Sequence, residues 1–203
     1  ILLFPGNDES ALNYPGNTYK FRQDSSFLYY FGVDLPNMVG IIDIDENKET
    51  LFGYEFTLED IVWMGPQLKL AQLAEQIGVE QSESLYKLKK YLKAKNSKQV
   101  KIHFLPTYRG DQTLKLADLL DENPYKLKSK FSKKLIESVV AQRSVKGEEE
   151  VAEIEYAMEI AYQMHTTAMR MAKPGVIEHD IAGAIEGIAL SLGNGVSFGP
   201  IVS

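Results

Sequence analysis

The sequence contains no cysteine, which excludes disulfide bonds, thiolate nucleophiles and cysteine-ligated zinc within this chain. It also has no apolar run close to the roughly 20 residues that a helix needs to cross a bilayer, so we predict no membrane partner. The formal net charge of −6 argues against nucleic acid as the main partner, because binding to phosphates requires a concentrated cationic surface. These absences favour a cytoplasmic protein whose partners are neither lipid nor nucleic acid.

The composition is that of a globular protein with a proper core. Hydrophobic residues make up 44% of the chain and charged residues 25%, close to the averages for folded domains. A length of 203 residues suits one complete domain and part of a second. The first residue is Ile1 rather than an initiator methionine, so we expect the chain to begin inside a longer protein and to end inside it as well.

Two lysine-rich stretches, residues 87–101 and 126–134, interrupt the overall negative charge. Leu85, Leu88 and Leu92 punctuate the first stretch at helical spacing. This spacing favours a solvated helix face over an anion-binding patch.

The first 120 residues alternate between strand-like and helix-like segments. Strand patterns cover residues 1–4, 38–44, 49–54 and 100–105. Helical patterns cover residues 25–30, 67–77, 82–95 and 112–120, and residues 7–19 are predicted to be a loop. The polar turn at residues 45–48 is predicted to join two of the strands into an antiparallel hairpin. The alternation of strands and helices predicts an α/β fold.

After Pro124 the pattern changes to long helices, at residues 132–142, 148–171 and 181–192. Three glutamates open the second of these helices, where they are favourably placed against its N-terminal dipole. We therefore predict an N-terminal α/β domain at residues 1–124, a helical linker at residues 125–147 and the start of a second domain at residues 148–203.

Three stretches of the sequence resemble one peptidase family. Residues 19–33 read YKFRQDSSFLYYFGV and resemble the FRQDSDFYYLTGF signature of the aminopeptidase P N-terminal domain. Residues 142–146 (QRSVK) are similar to the segment that leads into the pita-bread catalytic domain of the creatinase, prolidase and aminopeptidase P family. Residues 171–175 (MAKPG), with Glu178 and His179, are similar to its first helical hairpin. The resemblance implies a creatinase-like N-terminal domain with a mixed sheet and flanking helices, followed by helices of a truncated pita-bread domain.

The same resemblance implies that the whole protein is an Xaa-Pro aminopeptidase, which removes the N-terminal residue from peptides whose second residue is proline. Enzymes of this family use two divalent metal ions, usually manganese, which polarise the scissile carbonyl and activate a bridging water. Their ligands are two aspartates, one histidine and two glutamates, which lie downstream of the segment that residues 200–203 (PIVS) resemble. We therefore assign no catalytic residue and no metal ligand within the chain, and we expect it to be inactive alone and to hold no cofactor.

Two alternatives to this function stay open. Prolidase and creatinase belong to the same family, although the sequence resembles them less than it resembles aminopeptidase P. A non-catalytic relative with the same fold would instead serve as a peptide- or protein-binding module, as metal-free versions in histone chaperones do.

The histidines offer no metal site by spacing. His103, His165 and His179 form no pair separated by the few residues that place two ligands on one side of a helix or turn. We predict that none of them binds a metal ion.

Two pairs of charged residues are predicted to be structural. Asp43 and Asp45 flank the hairpin turn, and we interpret them as solvating it rather than as a pair for acid–base chemistry. Arg22 and Asp24 precede a helix, and we interpret them as fixing the loop through hydrogen bonds.

Trp63 is the only tryptophan, in the sequence IVWMG at residues 61–65, between a strand and the helix predicted from residue 67. From the residues alone it is interpreted as a core or interface aromatic. The resemblance implies a further role, because in oligomeric aminopeptidases P a tryptophan of an IWxG-like segment approaches the active site of a neighbouring subunit. It thus implies that Trp63 binds substrate and that the protein is a homo-oligomer acting on peptides with proline at the second position.

Overall fold

The structure is a computed structural model that describes residues 1–203. The chain forms two compact units, Ile1–Gln142 and Arg143–Ser203, called here the first and second unit. The boundaries predicted after residues 124 and 147 stay predictions.

A five-stranded mixed sheet forms the centre of the first unit, in the order β6-β5-β4-β1-β7. Its strands are β1 (Leu2–Pro5), β4 (Val39–Asp43), β5 (Lys48–Gly53), β6 (Gln81–Ser84) and β7 (His103–Phe104). The pairs β1–β4 and β4–β5 are antiparallel, whereas β1–β7 and β5–β6 are parallel. The predicted α/β fold with a mixed sheet and the predicted antiparallel hairpin are confirmed.

Seven helices accompany the sheet. They are α1 (Ser25–Phe31), α2 (Leu58–Met64), α3 (Leu70–Gln76), α4 (Leu88–Ser97), α5 (Gly110–Leu120), α6 (Pro124–Leu127) and α7 (Lys133–Ser144). The last two residues of α7 belong to the second unit.

The helices cover both faces of the sheet, because strand side chains alternate between the faces. Leu3 of β1 belongs to a cluster completed by buried side chains of α4, α5 and α6. Phe4, the next residue, belongs to a second cluster completed by α1, α3 and α7. The helices α1 and α5 therefore lie on opposite faces of the sheet.

Local signals predicted some element ends correctly. The Asp24 Oδ1 accepts hydrogen bonds of 2.9 Å from the amides of Ser26 and Phe27 at the start of α1. Gly32 ends this helix in the left-handed conformation, at φ 66°.

Two other predictions were wrong because strands form where the sequence predicted a loop or a helix. Residues 7–19, predicted to be a loop, contain a small hairpin of β2 (Ala11–Tyr14) and β3 (Asn17–Thr18). The helix predicted from residue 82 begins as a 3-10 turn at Leu85–Lys87 and continues as α4 from Leu88, because residues 81–84 pair with β5 as an edge strand. Ser82 and Ser84, at the start of the predicted helix, are therefore strand residues.

The second unit contains a helical pair, α8 (Glu148–Met171) and α9 (Glu178–Leu192). The ends of α8 are those predicted from the sequence. The backbone amide of Gly147 donates to the Glu150 carboxylate at the start of α8, and the Tyr156 hydroxyl donates to the Leu192 carbonyl with a distance of 2.8 Å. No helix anywhere in the 203 residues combines the length and apolarity needed to span a membrane.

Candidate functional site

Trp63 lies on the short helix α2, which the sequence analysis did not predict. Its side chain is 81% exposed, and α2 contains no buried residue. The interpretation of Trp63 as a core aromatic is therefore wrong, whereas its interpretation as an interface aromatic stays a prediction. The signal that could have indicated the helix is the Thr57-x-x-Asp60 pattern of a capping box.

Hydrogen bonds hold both ends of α2. The Asp60 amide donates to Thr57 Oγ1 at 3.2 Å, and the Thr57 amide donates back to Asp60 Oδ2 at 2.7 Å. The Thr57 hydroxyl also donates to Asp60 Oδ2, at 2.7 Å, and the bonds from the Thr57 amide and hydroxyl lower the pKa of the Asp60 carboxyl. The Gly65 amide donates to the Ile61 carbonyl with a distance of 2.9 Å, and Gly65 adopts a φ of 77° that favours glycine. The capping explains why so short a helix forms without burying a side chain.

The exposed side chains of α2 form a surface that we call the α2 apolar surface. Leu58, Val62 and Trp63 are each more than four-fifths exposed, and Met64 is about half exposed. Neighbouring apolar side chains on a surface mark contact sites for proteins or ligands more often than single ones do. The geometry suits contact between the Trp63 ring and an apolar group.

The three histidines have different surroundings. His103 Nδ1 lies 2.6 Å from Ser132 Oγ. Burial, followed by the charges of Lys101, the N-terminal amine and Lys134, lowers the pKa of His103. His165 and His179 lie on α8 and α9, and His179 Nε2 is 3.0 Å from a carboxylate oxygen of Asp180.

No three histidine, aspartate or glutamate side chains converge in a way that could hold a metal ion. The residues of this chain therefore do not fit a pair of divalent ions, and we assign no metal-dependent step to them.

The aspartates at the hairpin turn differ from each other. Asp43 is only 3% exposed and pairs with Lys95 at a distance of 2.5 Å between Oδ2 and Nζ. Asp43 is therefore not solvated, because α4 places a lysine beside it, but its structural role at the turn is confirmed, since its Oδ1 accepts a hydrogen bond from the Glu46 amide at 3.2 Å. Asp45 is exposed, as the interpretation requires.

The segment from Arg22 to Asp24 has a structural role. Asp24 caps α1, and the Arg22 carbonyl accepts a hydrogen bond from Asn7 Nδ2 at 2.8 Å. This confirms the loop-fixing interpretation for Asp24, whereas for the Arg22 side chain it stays a prediction. The sequence analysis missed Gln23, which is 4% exposed and joins the loop after β1 to the chain that enters β4.

Comparison with known families and proteins identifies the fold. The family model for the N-terminal domain of aminopeptidase P matches residues 1–103. A probable Xaa-Pro aminopeptidase pepP of Aspergillus fumigatus is 27% identical, covering 99% of this chain and 40% of that protein. An Xaa-Pro dipeptidase of Homo sapiens is 26% identical, covering 95% of this chain and 38% of that protein. The chain thus spans about two fifths of the length of these relatives.

Solved structures show the same fold. Aminopeptidase PepP of Pseudomonas aeruginosa superposes with a TM-score of 0.73 at 20% identity, covering 95% of this chain and 45% of that one. Proline aminopeptidase P II of Yersinia pestis gives a TM-score of 0.72 at 21% identity, covering 95% and 46%. With the family model matching half of its residues, the chain belongs to the aminopeptidase P N-terminal domain family.

Proposed function

We propose that this chain is the N-terminal part of a metal-dependent aminopeptidase that releases the first residue from peptides with proline in the second position. The observation that carries the proposal is the alignment of nearly the whole chain with a probable Xaa-Pro aminopeptidase. The match of residues 1–103 to the family model supports it independently of the C-terminal helices. From its composition, we also propose a cytoplasmic location.

The chemistry of the proposed enzyme resides outside these 203 residues. No group of three side chains here can hold a metal, so two divalent ions, expected to be manganese, would be bound by residues of the longer protein. When bound, such ions polarise the carbonyl and activate water. This chain would contribute the substrate contact of Trp63 and a surface for assembly into a homo-oligomer.

The activity can be tested with the longer protein and matched peptides. We expect manganese-dependent release of the first residue from Xaa-Pro-Xaa tripeptides, measured by chromatography of the products. A chelator should abolish the release, because it would remove the divalent ions that the proposed enzyme would require. The 203-residue chain alone, assayed in parallel, should release nothing.

Two other results would each indicate a different function. Release from Xaa-Pro dipeptides only would indicate a prolidase, a possibility favoured by the similarity to the human Xaa-Pro dipeptidase. Peptide binding without release from either substrate would indicate the non-catalytic binding module.

The role of Trp63 predicts a kinetic effect that depends on peptide length. In the longer protein, Trp63→Ala should lower kcat/KM for peptides of more than three residues about tenfold, equivalent to ~1.4 kcal/mol of lost contact energy. The tripeptide should be affected less, because it extends less far from the scissile bond.

Tyr125→Ala provides the matched control, since Tyr125 is another exposed aromatic residue, on α6. Sedimentation of each variant would show whether assembly changes. Unaltered kinetics in a Trp63→Ala protein with unaltered assembly would rule out the substrate contact.

A further inference from the structure

The residue before helix α7, Ser132, ties the start of that helix to the sheet. The Ser132 amide donates to the carbonyl of Phe104, in the edge strand β7, at 3.0 Å. Ser132 Oγ accepts a hydrogen bond from the Leu135 amide at 3.2 Å, and the Ser132 carbonyl accepts one from the Ile136 amide at 3.0 Å. Ser132 therefore caps α7 and holds the start of the helix beside β7.

The hydroxyl of Ser132 also contacts a histidine of β7. His103 Nδ1 lies 2.6 Å from Ser132 Oγ. The neutral imidazole that carries its proton on Nε2 can accept at Nδ1, so the hydroxyl donates to the ring while it accepts from the Leu135 amide. A protonated imidazole has only donors, so the hydroxyl would lose the acceptor of its proton. The contact therefore favours the neutral ring.

The charges around His103 favour the neutral ring as well. Lys101 precedes β7, Lys134 lies in the first turn of α7, and the N-terminal amine of Ile1 donates to the Lys101 carbonyl at 2.9 Å. Burial, followed by the charges of Lys101, the amine and Lys134, lowers the pKa of His103 below its ordinary value of 6.5. A protonated ring would therefore lie among cations.

The groove beside the ring contains two more titratable groups. It has a volume of about 760 Å³, and its lining includes His103, Tyr30 of α1 and Asp45 of the turn between β4 and β5. The Tyr30 hydroxyl donates to Gln142 Oε1. Asp45 is the only carboxylate of this lining, and it is exposed, so solvent screens its charge.

The start of α7 covers part of the apolar core. Leu135 and Val139 are 5% and 6% exposed, and they belong to the same cluster as Phe4. Leu135 lies in the first turn of the helix, directly above the Ser132 cap. Weakening of the cap would therefore affect the packing of Leu135 before that of Val139.

We infer that the His103–Ser132 contact is a pH-sensitive switch, which holds the start of α7 on the sheet at neutral pH and releases it on acidification. Protonation makes Nδ1 a donor and adds a positive charge near Lys101 and Lys134, so the Ser132 cap weakens. The inference does not depend on the proposed peptidase activity, since every residue involved lies in the first unit.

The sign of the pH dependence follows from the lowered pKa of His103. The folded state disfavours the charged ring, so the unfolded chain takes up the proton more readily. The stability that the contact provides is therefore fully present above pH 6.5 and is lost as the pH falls through the folded-state pKa.

The test is hydrogen exchange of the 203-residue chain, measured by NMR between pH 8 and pH 5, the range in which histidine titrates, and corrected for intrinsic exchange rates. The protection of the Leu135 and Ile136 amides should fall about fivefold, which converts to ~1 kcal/mol, the usual contribution of a helix cap. The amides at the start of α1, which Asp24 caps, are the internal control and should stay protected. Constant protection of Leu135 over this range would overturn the inference.

Two histidine variants locate the switch. His103→Asn removes the titrating ring but provides a side-chain oxygen that can accept from Ser132. It should abolish the pH dependence of Leu135 protection, whereas His165→Asn, on α8, should behave like the native chain. The same fall in protection in both variants would overturn the inference.

A second measurement decides if the His103→Asn protein does not fold. In the native chain, the ring signals of His103 should titrate with the same midpoint as the loss of Leu135 protection. Lys134→Gln should raise this midpoint, because it removes a cation that acts on the ring, whereas Lys133→Gln, one residue earlier, should leave it unchanged. Different midpoints for the ring and the amide, or equal midpoints in the two lysine variants, would overturn the inference.

Discussion

Gln23→Met is expected to lower the free energy of unfolding by about 3 kcal/mol or more, because it leaves several backbone groups without partners. Gln23 Oε1 accepts from the amides of Asn7 and Asp24, at 2.7 and 2.9 Å. Its Nε2 donates to the carbonyls of Val33 and Leu35, at 3.2 and 2.7 Å. Methionine fills a similar volume but replaces none of these bonds.

Urea unfolding followed by circular dichroism would measure the loss. Gln67→Met is the matched control, because Gln67 lies in an exposed stretch and bonds only to carbonyls of its own turn. Gln67→Met should lower the free energy of unfolding by less than about 0.5 kcal/mol, as substitutions of exposed residues usually do. A Gln23→Met protein as stable as this control would contradict the role of Gln23.

This prediction bears on the meaning of the FRQDS motif at residues 21–25. The motif is the most recognisable part of the sequence, yet Gln23 and Asp24 use their side chains to fix backbone. Gln23 also bonds to Asn7, which in turn accepts from Gln112. The motif therefore fixes the loop after β1 while stabilising the start of α1.

Lys95→Met is expected to lower the free energy of unfolding by about 3 kcal/mol or more, because removal of the lysine leaves the buried Asp43 carboxylate without its ion-pair partner. Lys95 Nζ lies 2.5 Å from Asp43 Oδ2 and 2.7 Å from Glu46 Oε1. The side chains of Lys95 and Asp43 are only 14% and 5% exposed, so solvent does little to replace the pair.

Two further variants would show that the stability lost in Lys95→Met comes from the burial of the ion pair. Asp43→Leu combined with Lys95→Met should cost less than Lys95→Met alone, because apolar residues can replace both charges. Lys89→Met, which breaks an exposed pair with Asp118, should cost less than about 1 kcal/mol. Equal losses for Lys95→Met and Lys89→Met would contradict the prediction.

The same pair predicts how stability depends on pH. Burial by itself raises the pKa of Asp43, but hydrogen bonds from Lys95 and the Glu46 amide, with the charge of Lys95, outweigh it and lower the pKa. A depressed folded-state pKa gives stability that is present above the ordinary value of 3.8 and lost as pH falls through the folded value.

The dependence of stability on pH in the alkaline range follows from Lys95. Hydrogen bonds to Asp43 and Glu46 raise its pKa above the ordinary value of 10.5. The lysine therefore contributes fully below 10.5, and this stability is lost as pH rises through the folded value. Unfolding free energies of Lys95→Met measured against pH should be flatter than those of the native chain at both ends.

The elements that the sequence predicted correctly are those with local determinants. Asp24 and Gly32 set the ends of α1, and three glutamates open α8, all within one turn of the positions they affect. The helix predicted from residue 82 began too early, because strand β6 depends on pairing with β5, about 30 residues earlier.

The candidate sites also differ in whether local sequence or distant contacts determine them. The sequence IVWMG pointed to Trp63, but only the structure places its ring in solvent on a capped helix. The contact of His103 with Ser132 had no sequence signal at all. The two residues are 29 apart in the chain, and nothing near either residue indicates that they meet.

The amino-acid sequence alone determined the family, the α/β class and the helices with local caps, because these follow from motif, periodicity and neighbouring residues. The tertiary structure decided which polar groups are buried together, namely Lys95 with Asp43 and Gln112 with Asn7. It also decided where the chain diverges between β1 and β7. The physical reason is that burial and pairing depend on contacts between residues far apart in the chain, which only the packed sheet and helices bring together.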